Sequence, residues 1–391
     1  MRLGCALALL AVFTAGATTN ADDCCGLRCV SHCMQTGYAD DPSFGFDDKY
    51  DACVDNLQVP PTADDDPNSS PANWGAFPRL PGLRGVRGLT GVIGNLMQTN
   101  PHAGATLYAT EPVANQPTNM GMVREFFQFA APVWSDGDDT LVLSSHVQNM
   151  SIQTSAILPT SKTAFPSQLW NIWVGANYFH TFDNGIVGAM LVEGGSASDK
   201  PFASKSNDSA AGTGLLIIPD GDRNAWILGL QASTNSQVLY GIPLPGVAYL
   251  YNPNDYFQSI VGFPYNCINY RPTEYVQLQM LYMFLTTVHV RASYQPTNDW
   301  QVYAGFDWTN ENYFLSDSHQ SSDDRFFYYE KKILAGWQWW LAKHFAVEVA
   351  AGYAFDRYFV SNNGFSFSLG GTNRVNVGSG PFITLQADYR F

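Results

Sequence analysis

A strict alternation of apolar and polar or small residues, sustained over long segments, is the feature that most limits how this chain can fold. Between Phe345 and Phe355 every odd position is apolar, whereas the even positions hold Glu348, Gly352 and alanines. Successive side chains of a strand point to opposite faces, so a period of two predicts a strand with one apolar face. The same pattern recurs at 168–180, 275–294, 299–308 and 381–391.

The connections between these segments alternate in length. Short turns lie around Asn184 and Gly185, a pair that suits a two-residue hairpin turn, and at 296–299 and 341–344. Transmembrane barrels have short turns on one side and long loops on the other. The alternation therefore predicts an all-β fold, a closed antiparallel transmembrane β-barrel. Long polar stretches lie at about 195–222, 310–325 and 358–374.

About twelve strands are predicted, because such barrels are built from an even number of antiparallel strands. Each candidate combines alternation with turn residues at its ends. The candidate strands lie near 121–131, 139–149, 168–180, 185–194, 224–234, 237–251, 257–263, 274–294, 299–309, 326–341, 343–357 and 375–391.

Several of these segments carry aromatic motifs, namely "GFPYNCINYRP", "FDWTNENYFL", "DDRFFYYEKK" and "AGYAFDRYF", and the sequence ends on Phe391 with Tyr389 two places before it. In these motifs the chain resembles an uncharacterised family of bacterial outer-membrane β-barrel domains, over about residues 110–391. The resemblance implies a barrel in the envelope of a Gram-negative cell. It also implies that Phe391 is an assembly signal for the barrel-assembly machinery, and it transfers no catalytic residue.

The first 21 residues are predicted to be a cleaved signal peptide. Arg2 precedes an apolar run from Leu3 to about Ala15, and small residues follow. A lipid anchor on Cys24 is disfavoured because Asp23 precedes it. Export through the inner membrane to the outer membrane is therefore the expected route.

Residues 22–81 are predicted to be a Cys-rich segment followed by an Asp/Pro-rich linker. Disulfides are expected because exported proteins oxidise clustered cysteines. A metal site built from Cys25, Cys29, Cys33 and His32 and a set of free thiols remain alternatives. For residues 82–109 three assignments stay open: linker, plug or first strand. The disulfide candidates are Cys24, Cys25, Cys29, Cys33 and Cys53.

Composition excludes several classes of function. A net charge of −14 with only 20 Lys and Arg residues excludes nucleic acid as a partner, because phosphate neutralisation needs basic clusters. The sequence has no nucleophile elbow, phosphate loop or zinc-binding His-Glu-x-x-His motif. The histidines are scattered, and the segment "DSHQSSDD" lies in an expected loop. We therefore expect no enzymatic activity, no cofactor and no metal.

Two sets of side chains are the candidate functional residues. The first is expected to face the lumen, either as salt bridges that fill the barrel or as an ion-selective constriction, with Arg291, Lys332 and Arg390 paired to carboxylates. The second is expected to form aromatic girdles at the membrane interfaces. The lumen set is Glu125, His289, Arg291, Asp307, Glu330, Lys332, Glu348, Asp356, Asp388 and Arg390. The girdle set is Trp170, Tyr178, Trp300, Trp308, Trp337, Trp339 and Tyr389.

The sequence thus predicts a non-enzymatic outer-membrane barrel, either a porin-like passive channel or a structural envelope protein. Its expected partners are outer-membrane lipid, the assembly machinery and small solutes. The alternative is a secreted soluble β-protein that binds carbohydrate through exposed aromatic side chains.

Overall fold

The fold is taken from a computed structural model that describes residues 101–236, 242–284, 286–316, 325–342, 344–362 and 372–389. The predicted signal peptide, the five clustered cysteines and the linker lie outside the described residues. Arg390 and Phe391 lie outside them as well.

Within the described residues, the regular structure consists of seventeen β-strands and one short 3-10 turn at Lys205–Asn207. Among the described residues no helix is both long and apolar enough to cross a membrane. The strands are β1 (His102–Pro112), β2 (Asn119–Asp136), β3 (Asp139–Thr154), β4 (Gln168–Thr181), β5 (Val187–Ser198), β6 (Asp208–Asp220), β7 (Asn224–Ser233), β8 (Leu244–Asn254), β9 (Phe257–Phe263), β10 (Tyr265–Thr273), β11 (Val276–Met283), β12 (Thr287–Tyr294), β13 (Trp300–Tyr313), β14 (Arg325–Ala342), β15 (Phe345–Asn362), β16 (Thr372–Val377) and β17 (Gly380–Tyr389).

The strands close into one antiparallel ring, which confirms the predicted barrel. Each strand pairs with the next along the chain, and β17 pairs with β1 to close the sheet. Both β16 and β17 pair with β15, β16 beside Arg357–Ser361 and β17 beside Phe345–Ala354. They therefore share one position, and the ring has sixteen positions. Closure leaves no unpaired sheet edge, as a lipid environment requires.

The predicted number of about twelve strands is wrong, because four more positions exist in the ring. The segment 208–220 is rich in Gly, Ala and Ser and resembles a loop, yet it forms β6. Strand β1 lies where three assignments stayed open. Strand β10 begins one residue after β9 ends, so no long turn marks it. The continuous apolar pattern of 274–294 hides the hairpin between β11 and β12.

The alternation of connection lengths is confirmed by the topology. We call one rim of the barrel the short-turn edge and the other the long-loop edge; only the connections at 264 and 284–286 of the long-loop edge are short. The short-turn connections are 137–138, 182–186, 221–223, 255–256, 274–275, 295–299 and 343–344. The longer connections are 113–118, 155–167, 199–207, 234–243, 314–324 and 363–371.

The barrel wall is uneven in height. Strands β2, β14 and β15 each have 18 residues, whereas β9 to β12 have 7 to 9. At about 3.3 Å per residue, the tall strands measure roughly 60 Å and the short ones roughly 23–30 Å along the chain. Of these short strands, β10 has the roughly 9–11 residues that cross a bilayer, whereas β9, β11 and β12 fall one or two residues below that length.

Two opposite walls meet at the long-loop edge. The Phe314 N–H, just after β13, donates to the Ala197 carbonyl of β5 at 2.8 Å, and the Asp199 N–H donates to the Phe314 carbonyl at 3.3 Å. The Asp199 carboxylate also accepts from the Ser316 hydroxyl at 2.8 Å. Because β5 and β13 lie eight positions apart in a ring of sixteen, this contact crosses the lumen.

The connection between β3 and β4 closes the same edge on one side of that crossing. Phe165 packs edge-on against Phe359 of β15, with ring centroids 4.9 Å apart. The N–H groups of Thr160 and Ser161 donate to Asn373 Oδ1 of β16 at 2.9 and 3.0 Å. An apolar core fills this part of the interior, and it includes Met120, Met150, Tyr328 and Phe382.

Candidate functional site

The inner face of the barrel is the candidate site, and one ion pair identifies which face that is. Arg124 of β2 bonds to Glu311 of β13, although the two strands are not neighbours, so both side chains must point inward. Paired residues in neighbouring strands share a face, and the register carries this assignment around the whole ring. Interior and exterior follow for every regularly paired residue.

The outer face is apolar and exposed around the full ring. Val174, Met190 and Val261 expose 62%, 61% and 61% of their surface, and exposed aliphatic residues such as Leu278, Ile333 and Leu385 continue the belt. A soluble protein does not leave a continuous apolar patch of this size uncovered. A closed barrel with this belt has the exterior of an outer-membrane protein.

All seven aromatic residues of the predicted girdle project from this outer face. Trp300, the first residue of β13, lies directly opposite Trp339 of β14, and Tyr389 lies opposite Phe345. These residues are close to the short-turn edge, as is Tyr178, whereas Trp337 is two residues farther from it on β14. Trp170 and Trp308 lie nearer the long-loop edge. Contact with the membrane interface remains a prediction for them.

Most of the predicted lumen charges lie on the inner face, where they pair with one another. Glu330 accepts hydrogen bonds from Tyr108 at 2.9 Å and Tyr328 at 2.7 Å, and it lies 3.4 Å from Lys332 Nζ. Asp307 Oδ2 lies 4.0 Å from the same Lys332 Nζ. Its other oxygen bonds to His289 Nδ1 at 2.6 Å. These groups form one continuous network across β1, β12, β13 and β14.

A second inward group lies closer to the short-turn edge. Glu348 of β15 accepts a hydrogen bond from Tyr303 and lies 3.9 Å from Arg291 Nη1. The Arg291 guanidinium lies over the Tyr303 ring, 3.9 Å from its centroid. Asp388 accepts from Gln338 at 3.0 Å. Arg291, the cation of this group, is therefore directed toward the carboxylate of Glu348.

The sequence missed the pair that crosses the interior. Glu311 accepts from Arg124, from Gln148 at 3.1 Å and from Tyr313 at 2.8 Å. Neither Arg124 nor Glu311 stood out, because each follows or precedes another polar residue and so breaks the simple alternation. Only the position of β13 relative to β2 brings them together.

Two predicted lumen residues lie on the outside instead. Glu125 pairs in register with Ala105 and Asn149 on the outer face, and the Asn149 amide donates to it at 3.4 Å. Asp356 lies at a β-bulge with a positive φ of 50° and bonds to the outward Lys331 at 2.6 Å. A bulge adds one residue to a strand, so it reverses which positions face inward beyond it.

The bulge turns Arg357 inward in place of Asp356. Arg357 is 2% exposed, and its three guanidinium nitrogens are buried without a hydrogen-bond partner among the described residues. Its guanidinium carbon lies 5.1 Å from the centre of the Tyr108 ring. The neighbouring carboxylate of Glu330 is already bonded to Tyr108, Tyr328 and Lys332. Arg357 is thus a buried cation that the network does not saturate.

The charged side chains that face inward are confined to one part of the ring. We call β12–β17 together with β1–β5 the charged arc, and β6–β11 the neutral arc. Within the regular register of the neutral arc no inward position carries a charged side chain; Arg271 lies where the pairing of β10 with β11 becomes irregular. The amide side chains that face inward from the neutral arc are Gln231, Gln258, Asn269, Gln277 and Gln279.

Three of these amides form a row at one level. Gln258 of β9 pairs with Asn269 of β10, and Asn269 pairs with Gln279 of β11. Gln277 donates to Asn269 Oδ1 at 2.7 Å. The interior on this side also includes aliphatic residues, among them Ile217, Leu250 and Ile260. The neutral arc therefore presents an apolar wall with a row of amides.

Metal and thiol chemistry have few candidates in the described part of the chain. No group of three His, Cys, Asp or Glu side chains there is arranged to hold a metal ion. Cys267, on the inner face of β10, is a free thiol.

No protein-family model matches the chain, and no curated protein matches it. Among solved structures, it is similar to an outer-membrane channel from Pseudomonas putida F1, with 10% identity and a TM-score of 0.31 over 75% of this chain and 96% of the other. It is also similar to OccK7 (OpdD) of Pseudomonas aeruginosa, with 9% identity and a TM-score of 0.32 over 74% and 97%. A third similar structure is the β-domain of the Bordetella autotransporter BrkA, with 11% identity and a TM-score of 0.27 over 75% and 100%. At these TM-scores the likeness transfers no function, so the barrel's own geometry must carry the conclusions.

Proposed function

We propose that this chain is a non-enzymatic outer-membrane barrel that acts as a narrow passive channel, with its path along the neutral arc. The observation that carries the proposal is the pairing of two surfaces in one closed ring. The outside is an exposed apolar belt, and part of the inside is a wall that combines aliphatic side chains with partly exposed amides such as Gln231 and Gln279. An apolar exterior around a polar interior is the arrangement of a membrane pore.

The charged arc supports a narrow path rather than a wide one. Its inward-facing carboxylates, with the exception of Glu193, are bonded to polar or cationic side chains of the same arc, and apolar side chains fill the space beside them. A sixteen-stranded barrel without such filling encloses an aqueous channel. An apolar cluster around Ile217, Leu250 and Ile260 fills part of the neutral arc as well, so we place the solute path beside the partly exposed amides of that arc.

A structural envelope protein is the second candidate, because the crossing between β5 and β13 narrows the long-loop edge. The exposed belt argues against the soluble carbohydrate-binding alternative, since Val174 and Val261 would face water.

Planar-bilayer conductance of the purified full-length chain tests the proposal. We expect small, voltage-independent unitary currents from folded protein, with folding verified by heat-modifiable migration on gels. Folded protein that inserts but conducts neither ions nor solutes would support the structural role and contradict the channel. A water-soluble monomer that does not partition into detergent would contradict both.

A further inference from the structure

We infer that the channel selects for neutral polar solutes, of which sugars are the chemical class that best fits, over ions of the same size. The inference rests on the proposed channel function and identifies what passes. It depends on the contrast between the two arcs, because charges are present in the barrel but are directed away from the neutral arc.

The amide row provides the recognition chemistry. A side-chain amide offers both donors and an acceptor, so it can bond to a hydroxyl group in either sense. Gln258, Asn269 and Gln279 follow one another across three neighbouring strands, so a solute can exchange one amide for the next. Within the described part of the chain, Gln279 has no hydrogen-bond partner that it would have to give up.

The aliphatic side chains around the amides can contact the apolar C–H faces of a sugar ring. Leu215, Ile227 and Leu281 are partly exposed and lie on the same inner face, Leu281 directly opposite Cys267 in the register. A sugar ring combines hydroxyl groups with apolar C–H faces. An inner surface that alternates amides with aliphatic side chains can therefore contact both parts of the solute.

Ions lack compensation on this path. Arg291, which follows Gln279 in the register on β12, is directed to Glu348 and stacks over Tyr303. His289 is held by Asp307. An ion that leaves water beside the neutral arc loses hydration and meets no opposite charge at the regularly paired inward positions of that arc, whereas a neutral solute replaces water with amide hydrogen bonds.

One carboxylate borders the path from the other side. Glu193 of β5 faces inward opposite Ala211 of β6, and it forms no ion pair with a described residue. We therefore expect the residual ion flow to favour cations over anions, and we expect Glu193→Gln to remove that bias.

Liposome swelling with the full-length chain tests the inference, using glucose, gluconate and glucosamine as solutes of similar size. We expect glucose to enter fastest and gluconate roughly tenfold more slowly, because its charge is not compensated along the path. Gln279→Glu should raise glucosamine entry relative to glucose. Gln153→Glu is the matched control, since it adds the same charge at an exposed outward position of β3 and should change neither ratio.

The outcomes separate the two proposals. If no solute enters liposomes that contain folded protein, the channel function fails. If solutes enter but gluconate or glucosamine equals glucose in the wild-type chain, the channel stands and the selectivity for neutral solutes is overturned. Should Gln279→Glu not fold, as judged by heat-modifiable migration, Gln231→Glu on the exposed part of the same arc takes its place.

Discussion

The charged arc and the neutral arc line the inside of the barrel with different kinds of side chain. The charged arc includes the tallest strands, β2, β14 and β15, and most of its buried groups are joined by ion pairs and hydrogen bonds, as around Glu330. The neutral arc includes the short strands β9 to β11 and has amides and aliphatic residues at its inward positions. The difference shows that a charged inner residue is not by itself a sign of an ion pathway. A charge that is fully bonded to its own wall stabilises that wall, whereas uncharged groups can remain available to solutes.

If the charged arc is held together by its network, removal of a central carboxylate should cause the largest loss. In Glu330→Gln, Lys332 loses its closer carboxylate while it remains buried, and Tyr108 and Tyr328 lose a charged acceptor. We expect the free energy of unfolding to fall by about 3–5 kcal/mol, as for other broken buried pairs. Urea unfolding of the barrel, followed by heat-modifiable migration, measures the change.

Asp356→Asn is the matched control for that variant. It removes a carboxylate from the exposed Lys331 pair outside the barrel, and Asn tolerates the positive φ at this position. Surface pairs contribute little, so the urea midpoint should stay where it is. An equal decrease in the free energy of unfolding in the two variants would mean that the buried network contributes no more to stability than the exposed pair.

The outer belt should be the next most sensitive region, in both arcs. Val349 lies on the outer face in the middle of β15, and Val349→Arg places a charge against acyl chains. The expected cost is about 2–4 kcal/mol, with less folded barrel recovered from membranes. Val349→Leu should assemble normally. Normal membrane levels of the Arg variant would sink the assignment of this face to lipid.

Arg357 offers a test within the charged arc itself. Its guanidinium is buried and has no hydrogen bond to a described residue, so Arg357→Met removes an unsatisfied cation and introduces an apolar side chain of similar length. We expect the free energy of unfolding to rise by about 1 kcal/mol, because apolar replacements of buried ionic groups are often stabilising. Arg124→Met, which deprives Glu311 of its cation, should instead be destabilising. A large loss in Arg357→Met would show that this guanidinium has a partner in solution.

The smallest effect on stability is expected in the neutral arc. Gln279→Leu removes an amide that bonds to no described residue and leaves an apolar group on a partly exposed wall. The free energy of unfolding should change by less than about 0.5 kcal/mol, the usual range away from buried polar networks. In the same urea series, a loss comparable to that of Glu330→Gln would erase the contrast between the arcs.

Particular strands show how far sequence reasoning reaches. Strand β14 was predicted within one residue of its observed bounds, and β13 and β15 were predicted within two residues at the ends next to their short turns. At their other ends the observed β13 and β15 extend four and five residues beyond the prediction. Strand β6 was missed because Gly and Ala weaken the pattern, and the tight turn at Pro264 concealed β10. Glu125 was assigned to the wrong face because Arg124 and Glu125 are adjacent, so charge alone could not say which of them points inward. Asp356 was misassigned because no sequence signal revealed the bulge.

The sequence by itself determined that this chain forms a β-barrel, which rim has the short turns and which positions of most strands face outward. These properties are local, since side-chain alternation and turn chemistry act over a few residues. Only the tertiary structure decided that the ring has sixteen positions, that β13 reaches across to β5, and which charges pair. Tyr108 and Glu330, for example, are 222 residues apart in the chain. Such pairs depend on the register of every strand between them, and a change of one residue in any strand reverses the faces beyond it.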